Sequence, residues 1–150
     1  MRILLVVDLQ PEFRDNDGQY EKILEFVKTT KDYDRIVATK CYNAENSSFV
    51  KYDCWHDCLD KVEELEFKAD EIIAKVSYGL TTYSLLNPKY SYDIIGFNTD
   101  CCVQKIAMDM FDRGYDFRVL SQYCYSSLGL QAHLRGKESL KINIGKAFVE

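Results

Sequence analysis

The sequence predicts an α/β protein with a three-layer α-β-α architecture around a doubly wound, mostly parallel sheet of six strands, in a Rossmann-like arrangement. Two observations predict this class. Short, continuous apolar segments recur along the chain, and segments with a helical spacing of apolar residues lie between them. A continuous apolar run is typical of a strand that is covered on both faces, as the strands of parallel sheets are.

The first half of the chain contains three predicted strands. Residues 3–8 (ILLVVD) form an apolar run that ends at a carboxylate, and turn-forming residues follow it. Residues 20–29 have one apolar stripe, which predicts a helix, and residues 32–40 predict the second strand. A short helical segment at residues 62–65 and a third strand at residues 71–76 complete this half.

The second half continues the alternation of strands and helices. Residues 92–97 (YDIIGF) predict a fourth strand, and residues 82–86 before it predict the start of a helix. The helix after the fourth strand runs from Val103 to Gly114 and places its apolar residues on one face. The remaining predicted elements are a fifth strand at residues 116–121, a helix at residues 128–138 and a sixth strand at residues 142–149.

Composition and charge limit the classes of function. The 150 residues are 47% hydrophobic and no linker divides them, so we expect a single domain over residues 1–150. The net charge of -5, with both signs interspersed, provides no basic stripe for nucleic acid or anionic lipid. The apolar run at residues 3–7 is too short for a signal peptide or a membrane span. We therefore expect a cytoplasmic protein whose six cysteines are reduced.

Polar residues stand at the carboxyl ends of three predicted strands. Asp8 ends the first strand, Lys75 ends the third, and residues 98–102 follow the fourth. Because the carboxyl ends of parallel strands meet at one edge of a sheet, we expect an acid, an amine and a thiol to converge there. Cys102 lies at the start of a helix, where unpaired N–H groups and the helix dipole favour a thiolate, whereas Cys101 should point elsewhere.

These three side chains suffice for nucleophilic catalysis. A cysteine nucleophile commonly uses a histidine base, yet His56 and His133 lie at no predicted strand end. Asp8 can instead take the thiol proton and later protonate a departing amine, while Lys75 stabilises the thiolate. The residues themselves therefore predict a hydrolase that uses an acid, a cation and a thiol.

Three segments of the chain resemble the signature regions of a known superfamily. They are VVDLQPEF at residues 6–13, AKVSYGL at residues 74–80 and GFNTDCCVQKIAMDMFDRGYDFRVLSQYCYSS at residues 96–127. In this order they resemble the isochorismatase-like cysteine hydrolase superfamily, which includes nicotinamidases, carbamoylsarcosine amidases and isochorismatases. The third segment is the most specific, because its Thr-Asp-x-Cys-Val pattern precedes a helix that ends at Gly-Tyr. Thr99 and Asp100 of this pattern are also predicted to cap the helix.

The resemblance implies a role for each of the converging residues. It implies that Cys102 is the nucleophile, that Asp8 accepts and donates the proton, and that Lys75 supplies the cation of the triad. It also implies a cis peptide bond between Phe97 and Asn98, and an oxyanion hole formed by the backbone N–H groups of Asn98 and Cys102. The implied reaction is hydrolysis of a small carboxamide through a thioester.

The resemblance also implies a metal site, at positions where this chain has other residues. Nicotinamidases hold a divalent ion with an Asp-x-His segment and a later histidine, and Cys41 and Asn43 occupy the first two positions here. Asp57 takes the later position, although a shift of one residue would place His56 there. We therefore expect no metal and no other cofactor. A zinc site is the less favoured alternative, because its spacing matches no common zinc motif; it would use Cys41, Cys54, His56 and Cys58.

Aromatic residues near the predicted site suggest a pocket for a small substrate, with Phe13, Trp55 and Tyr78 as its walls. The favoured function is hydrolysis of a small carboxamide, as in nicotinamidases. Two alternatives remain open: hydrolysis of a vinyl ether, as in isochorismatases, which does not need the thiol, and a non-catalytic binding protein. The resemblance further implies a homo-oligomer, either a dimer or a tetramer, that acts on small molecules.

Overall fold

One parallel sheet of five strands forms the centre of the described part of the chain. The structure is a computed structural model and describes residues 1–59 and 61–150. The strands have the spatial order β3-β2-β1-β4-β5, and helices cover both faces, so the predicted three-layer α/β architecture is confirmed. In chain order the elements are β1 (Arg2–Val7), α1 (Gln19–Thr29), β2 (Arg35–Cys41), α2 (Ser48–Asp53), β3 (Glu71–Lys75), β4 (Ser91–Phe97), α3 (Cys102–Asp112), β5 (Asp116–Tyr125) and α4 (Leu130–Asn143), with short 3₁₀ turns at Pro11–Phe13 and Lys146–Phe148.

β1 is the central strand and is buried on both faces. Leu5 pairs with Val37 of β2 on one side and with Ile94 of β4 on the other. The side chain of Leu5 packs in the core between the sheet and α3, whereas those of Leu4 and Val6 pack on the opposite face with α1. Burial of both faces explains why the first strand is a continuous apolar run and does not alternate with polar residues.

α1 and α3 cover opposite faces of the sheet through the apolar stripes that their spacing predicts. A fully buried apolar side chain of this size contributes roughly 1.5–3 kcal/mol to folding. α3 ends where the sequence predicts, because Gly114 adopts a φ of 69° and its N–H donates to Phe111 O at 3.0 Å. None of the helices in residues 1–59 and 61–150 is long and apolar enough to cross a membrane. The buried residues of the stripes are Tyr20, Ile23, Leu24 and Val27 of α1, and Cys102, Val103, Ile106, Ala107 and Met110 of α3.

The predicted sixth strand at residues 142–149 is wrong. α4 continues to Asn143, so the helix takes the first residues of that segment. Gly145 then turns the chain with a φ of 96°, and the 3₁₀ turn follows it. Val149 reaches the sheet and forms a single parallel bridge with Val119 of β5. The segment therefore consists of a helix end, a turn and one bridge.

The helices predicted at residues 62–65 and 82–86 are also wrong, since both segments lack helical structure. The apolar residues of the second segment instead belong to a series of turns, from which Tyr83 and Leu86 pack on the same face of the sheet as α3. The hydroxyl of Tyr115 donates to Tyr83 O at 2.9 Å and to Leu86 O at 3.1 Å. A side chain therefore satisfies carbonyl groups that a helix would otherwise have paired.

α2 is a helix that sequence reasoning missed. Ser47 caps it, because the Ser47 hydroxyl accepts a hydrogen bond from the N–H of Val50 at 3.2 Å. The signal was the serine pair before Phe49, but a helix of six residues is too short to have a clear apolar period. α2 carries Phe49 and Asp53 to the same cavity that Cys102 lines.

Candidate active site

The structure brings together the three polar residues that the sequence places at strand ends. The ammonium nitrogen of Lys75 lies 2.7 Å from Asp8 Oδ2 and donates to Cys102 Sγ at 3.3 Å. Asp8 follows β1, Lys75 ends β3 and Cys102 begins α3, so the convergence results from parallel strands that end at one edge. Exposed fractions of 0% for Asp8, 1% for Lys75 and 8% for Cys102 show that the cluster is nearly dry.

Thr39 orients the carboxylate of Asp8, and sequence reasoning missed it. The N–H of Asp8 donates to Thr39 Oγ1 at 3.0 Å, and the Thr39 hydroxyl donates to Asp8 Oδ1 at 2.5 Å. Asp8 adopts a φ of 46°, which residues other than glycine, asparagine and aspartate rarely do. The available signal was a hydroxyl residue close to the carboxyl end of the predicted second strand.

The sequence predicts a thiolate at Cys102, and the surroundings of the sulfur act against that charge. Burial raises the pKa of the Cys102 thiol well above its ordinary value, the negative charge of Asp8 raises it further, and Lys75 only partly opposes them. For Lys75, burial lowers the pKa, but the charges of Asp8 and Cys102 outweigh it and raise the pKa overall. Burial and the charge of Asp8 therefore oppose ionisation of the Cys102 thiol, whereas the negative charges around Lys75 favour its charged form.

The two oxygens of Asp8 have different partners. Oδ1 accepts the hydrogen bond from Thr39, whereas Oδ2 is buried and faces the Lys75 ammonium. Its 2.7 Å contact with Lys75 is an ion pair that leaves a lone pair of the oxygen available. The cluster thus places a thiol, an amine and a carboxylate together, with the Lys75 amine in contact with both of the others.

Two backbone N–H groups beside Cys102 have no acceptor in the described part of the chain. The peptide bond between Phe97 and Asn98 is cis, as the resemblance implies. The N–H groups of Thr99, Cys101 and Val103 all donate to backbone carbonyls, whereas those of Asn98 and Cys102 make no hydrogen bond among the described residues. Both residues line the cavity beside the Cys102 sulfur.

The Asn98 side chain holds this loop in place. Its Nδ2 donates to Ser127 Oγ at 3.0 Å, and its Oδ1 accepts from the N–H of Ser127 at 2.8 Å. Ser127 lies just beyond β5, so the loop after β4 is tied to the loop after the neighbouring strand. This double hydrogen bond orients the backbone of Asn98 before any ligand binds.

The predicted capping role of Thr99 and Asp100 is wrong. Cys101 occupies the N-cap position of α3, and no side chain caps the helix there. Thr99 Oγ1 lies 2.8 Å from His133 Nδ1 of α4, because the hydrogen bond from Thr99 N to Tyr125 O places the residue against β5. Burial and the charge of Lys137 lower the pKa of His133, so this imidazole is neutral at neutral pH.

A cavity of about 420 Å³ opens beside Cys102. The three predicted wall residues all line it, and the rings of Phe13 and Trp55 stack with their centroids 6.1 Å apart. Cys101 also lines the cavity, so the expectation that it points elsewhere is wrong. Burial, Asp100 and Asp53 raise the pKa of Cys101 to about 11.

The residues at the implied metal positions do not fit a metal ion. The Asn43 amide donates to the carbonyls of Trp55 and Asp57, and its oxygen accepts from Ala44 N and the Ser47 hydroxyl. Among the described residues, no group of three or more His, Cys, Asp or Glu side chains is arranged to hold a metal, which includes the alternative zinc site. Asn43 instead cross-links, through hydrogen bonds alone, the two loops that would carry metal ligands.

Removal of divalent ions is expected to leave the melting temperature and any hydrolytic rate of this protein unchanged. The physical reason is that every hydrogen-bonding group of the Asn43 amide is already used within the protein. The measurement compares EDTA-treated and untreated protein, with zinc added back as the control. One equivalent of tightly bound metal, or activity that chelation removes and zinc restores, would contradict this expectation.

Solved structures of known proteins share this fold, although neither a family model nor a curated protein sequence matches the chain. An isochorismatase-like hydrolase from Alkaliphilus metalliredigens is similar over 95% of this chain and 91% of its own, with a TM-score of 0.74 and 18% identity. The pyrazinamidase/nicotinamidase from Streptococcus mutans UA159 is similar over 100% of both chains, with a TM-score of 0.74 and 18% identity. The pyrazinamidase of Pyrococcus horikoshii, solved in complex with zinc, covers 99% of this chain and 97% of its own, with a TM-score of 0.73 and 21% identity.

These similarities define the class of fold. The chain has the isochorismatase-like hydrolase fold, as the resemblance of its three sequence segments implies. The matched structures extend over nearly all of each chain, so the shared fold includes the edge of the sheet at which Asp8, Lys75 and Cys102 meet.

Proposed function

We propose that this protein is a cysteine hydrolase that cleaves the C–N bond of a small carboxamide, with Cys102 as nucleophile, Asp8 as proton acceptor and donor, and Lys75 as the charged third member of a catalytic triad. The observation that carries the proposal is the position of the Lys75 ammonium, 2.7 Å from Asp8 Oδ2 and 3.3 Å from Cys102 Sγ in a buried cluster. The shared fold with nicotinamidases supports the amide as the substrate class.

In the first step the thiol attacks the amide carbon. Asp8 Oδ2 takes the proton of Cys102 as the C–S bond forms, so the sulfur is never exposed as a free anion in an uncompensated site. Lys75 stabilises the negative charge that passes from the carboxylate to the sulfur. The carbonyl oxygen, now negative, accepts hydrogen bonds from the N–H groups of Asn98 and Cys102, each of which contributes about 2.7–4 kcal/mol to the transition state.

In the second step the tetrahedral intermediate collapses. Asp8, now a carboxylic acid, protonates the departing nitrogen, and ammonia or an amine leaves as the C–N bond breaks. A thioester on Cys102 remains. Asp8 then takes a proton from water, the oxygen of which attacks the thioester, and returns that proton to the sulfur as the C–S bond breaks. The products are a carboxylic acid and the free thiol.

The two alternative functions are less well supported by this site. Hydrolysis of a vinyl ether has no need of the thiol, yet the sulfur of Cys102 lies in direct contact with Lys75. A non-catalytic binding protein has no need to bury a complete acid, amine and thiol, which costs several kcal/mol of desolvation for each ion. The presence of all three side chains in one buried cluster therefore favours a catalytic function over the two alternatives.

The test combines an ammonia assay with chemical trapping. The protein is incubated with a panel of small carboxamides, and ammonia release is measured with and without hydroxylamine. Hydroxylamine attacks a thioester to give a hydroxamate, so turnover through Cys102 should produce hydroxamate in proportion to the ammonia released. Release of ammonia with no hydroxamate, and with no acyl adduct by mass spectrometry, would contradict the thioester. No ammonia from any amide would contradict the proposal as a whole.

Gly136→Ala is expected to lower kcat by roughly ten- to a hundredfold with a smaller change in KM. A Cβ atom at Gly136 of α4 would lie 2.6 Å from Asp100 N and 2.7 Å from Thr99 C. The helix would therefore push the loop that presents the N–H of Asn98, and an oxyanion hole acts mainly in the transition state. Because the clashing atoms belong to the backbone, the melting temperature is expected to fall as well; the helix preference of alanine over glycine offsets only about 1 kcal/mol of that loss.

The control for this variant is Glu138→Ala, an exposed position of the same helix. It should leave kcat and KM unchanged. A folded Gly136→Ala protein with the kcat and KM of the wild type would contradict the role of this contact in positioning the loop.

We also propose that residues 1–150 act as a single hydrolase domain, and that the protein is a cytoplasmic homo-oligomer, either a dimer or a tetramer. Light scattering on the purified protein measures the oligomeric state directly.

A further inference from the structure

The cavity beside Cys102 has a continuous aromatic wall. Trp55 stacks on Phe13, and its ring also contacts Phe49 edge-on, with centroids 5.5 Å apart. Phe49 in turn meets Tyr78 edge-on at 4.9 Å. The faces of such rings carry partial negative charge and attract cations as well as apolar groups.

The charges around this cavity are mostly negative. Among the described residues that line it, Glu12, Asp53 and Asp57 are acidic, and Arg14 is the one basic residue. The guanidinium of Arg14 is already engaged, because it forms ion pairs of 2.7 Å with Glu21 and with Glu66. The positive charge of Arg14 is thus offset by acids that do not line the cavity. The carboxylates of Glu12, Asp53 and Asp57 therefore make the electrostatic potential inside the cavity negative.

Glu12 has a buried oxygen with no partner. Its Oε1 accepts a hydrogen bond from the N–H of Glu63 at 2.6 Å, whereas Oε2 is fully buried and accepts none from the described residues. The residue nevertheless lines the cavity, so its negative charge acts on a group that binds there. Asp53 acts from the side of α2, where its charge helps to raise the pKa of Cys101.

We propose that the substrate of this site is a small carboxamide that carries a protonated amine at the end remote from the scissile bond. The inference rests on the proposed amide hydrolysis and adds the substrate class. The ammonium group would lie against the aromatic wall, with Glu12 and Asp53 as its counter-charges, while the carboxamide reaches Cys102. A carboxylate in the same place would face like charges and no free cation.

The test uses three amides of similar size that differ in one group. β-Alaninamide carries an ammonium group, butyramide carries a methyl group at the same position, and malonamate carries a carboxylate. We expect kcat/KM for ammonia release to be roughly tenfold or more higher for β-alaninamide than for butyramide, with malonamate the poorest substrate. A preference for butyramide or malonamate, or equal values for all three, would overturn the inference.

Two variants connect the preference to the named carboxylates. Glu12→Gln keeps an acceptor for Glu63 but loses the charge, and Asp53→Asn removes the charge on α2. Each should raise KM for β-alaninamide more than KM for butyramide, and thus reduce the ratio of their kcat/KM values several-fold. Asp112→Asn, at the far end of α3, is the matched control and should keep the wild-type ratio. Wild-type ratios in both cavity variants would overturn the assignment.

A binding measurement separates failure of this inference from failure of the proposed reaction. If no amide releases ammonia, the proposed function fails, and the melting temperature of the wild-type protein with each amide tests the inference alone. A larger increase in the melting temperature with β-alaninamide than with butyramide would support the cationic substrate class. Equal shifts, or a larger shift with malonamate, would overturn it.

Discussion

Replacing Cys102 with alanine is expected to abolish amide hydrolysis, with a loss of roughly a thousandfold or more in kcat. The thiol at this position contacts the Lys75 ammonium at 3.3 Å and is the sulfur whose pKa the charge of Asp8 raises. Without it, no thioester forms and water must attack the amide directly. The measurement is the rate of ammonia release, together with the loss of hydroxamate when hydroxylamine is present.

Cys101→Ala is the matched control, because Cys101 lines the same cavity and is the adjacent thiol. The structure shows no hydrogen bond from the described residues to its sulfur, and Lys75 donates to Cys102 instead. Most of the activity should therefore remain. Equal loss in the two variants would contradict the assignment of the nucleophile, and full activity in Cys102→Ala would remove the basis of the mechanism.

Gly96→Ala is expected to destabilise the protein by more than about 4 kcal/mol, or to prevent folding. Gly96 lies in β4 opposite Val7 of β1, with a φ of 117°. A Cβ atom there would lie 2.0 Å from Val7 O and 2.9 Å from Val7 C. Both obstacles are backbone atoms of the central strand, so no side-chain rotation can relieve the overlap. Urea denaturation, or the soluble fraction after expression, measures the effect.

Gly114→Ala distinguishes steric overlap from the cost of the backbone conformation. Gly114 also has a positive φ, 69°, but a Cβ atom there would have no neighbour within 4 Å. Its substitution should cost about 1–2 kcal/mol of unfolding free energy, which is the penalty for an L residue in the left-handed region. Equal losses of unfolding free energy in Gly96→Ala and Gly114→Ala would contradict the claim that the close approach of β4 to β1 excludes a side chain at Gly96.

Burial pattern explains why most of the strands and helices could be predicted. β1 is apolar without interruption because both of its faces are covered. α3 has one apolar stripe because only one of its faces is covered by the sheet. The segments predicted wrongly were those without such a pattern. At residues 82–86 the apolar spacing matched one turn of a helix, but Tyr115 supplies the hydrogen bonds that let the chain remain in turns.

The composition of the candidate site was predictable, but its electrostatic state was not. Asp8, Lys75 and Cys102 could be selected because parallel strands must end at one edge of a sheet. The pKa of the Cys102 thiol is raised by the burial of the sulfur and by the charge of Asp8, and neither is a property of local sequence. Thr39 was missed for the same reason. Its role depends on a contact with Asp8, which lies at the end of the neighbouring strand.

The sequence by itself determined which segments are buried on one face or on two, and hence the layered fold and the identity of the residues at the strand ends. The tertiary structure decided which oxygen of Asp8 meets Lys75, which of two adjacent thiols does so, and that Asn43 takes up hydrogen bonds within the protein where the resemblance implies a metal. The physical reason is that periodicity records the burial of a segment relative to solvent. Distances between side chains from different segments arise only when the whole chain has packed.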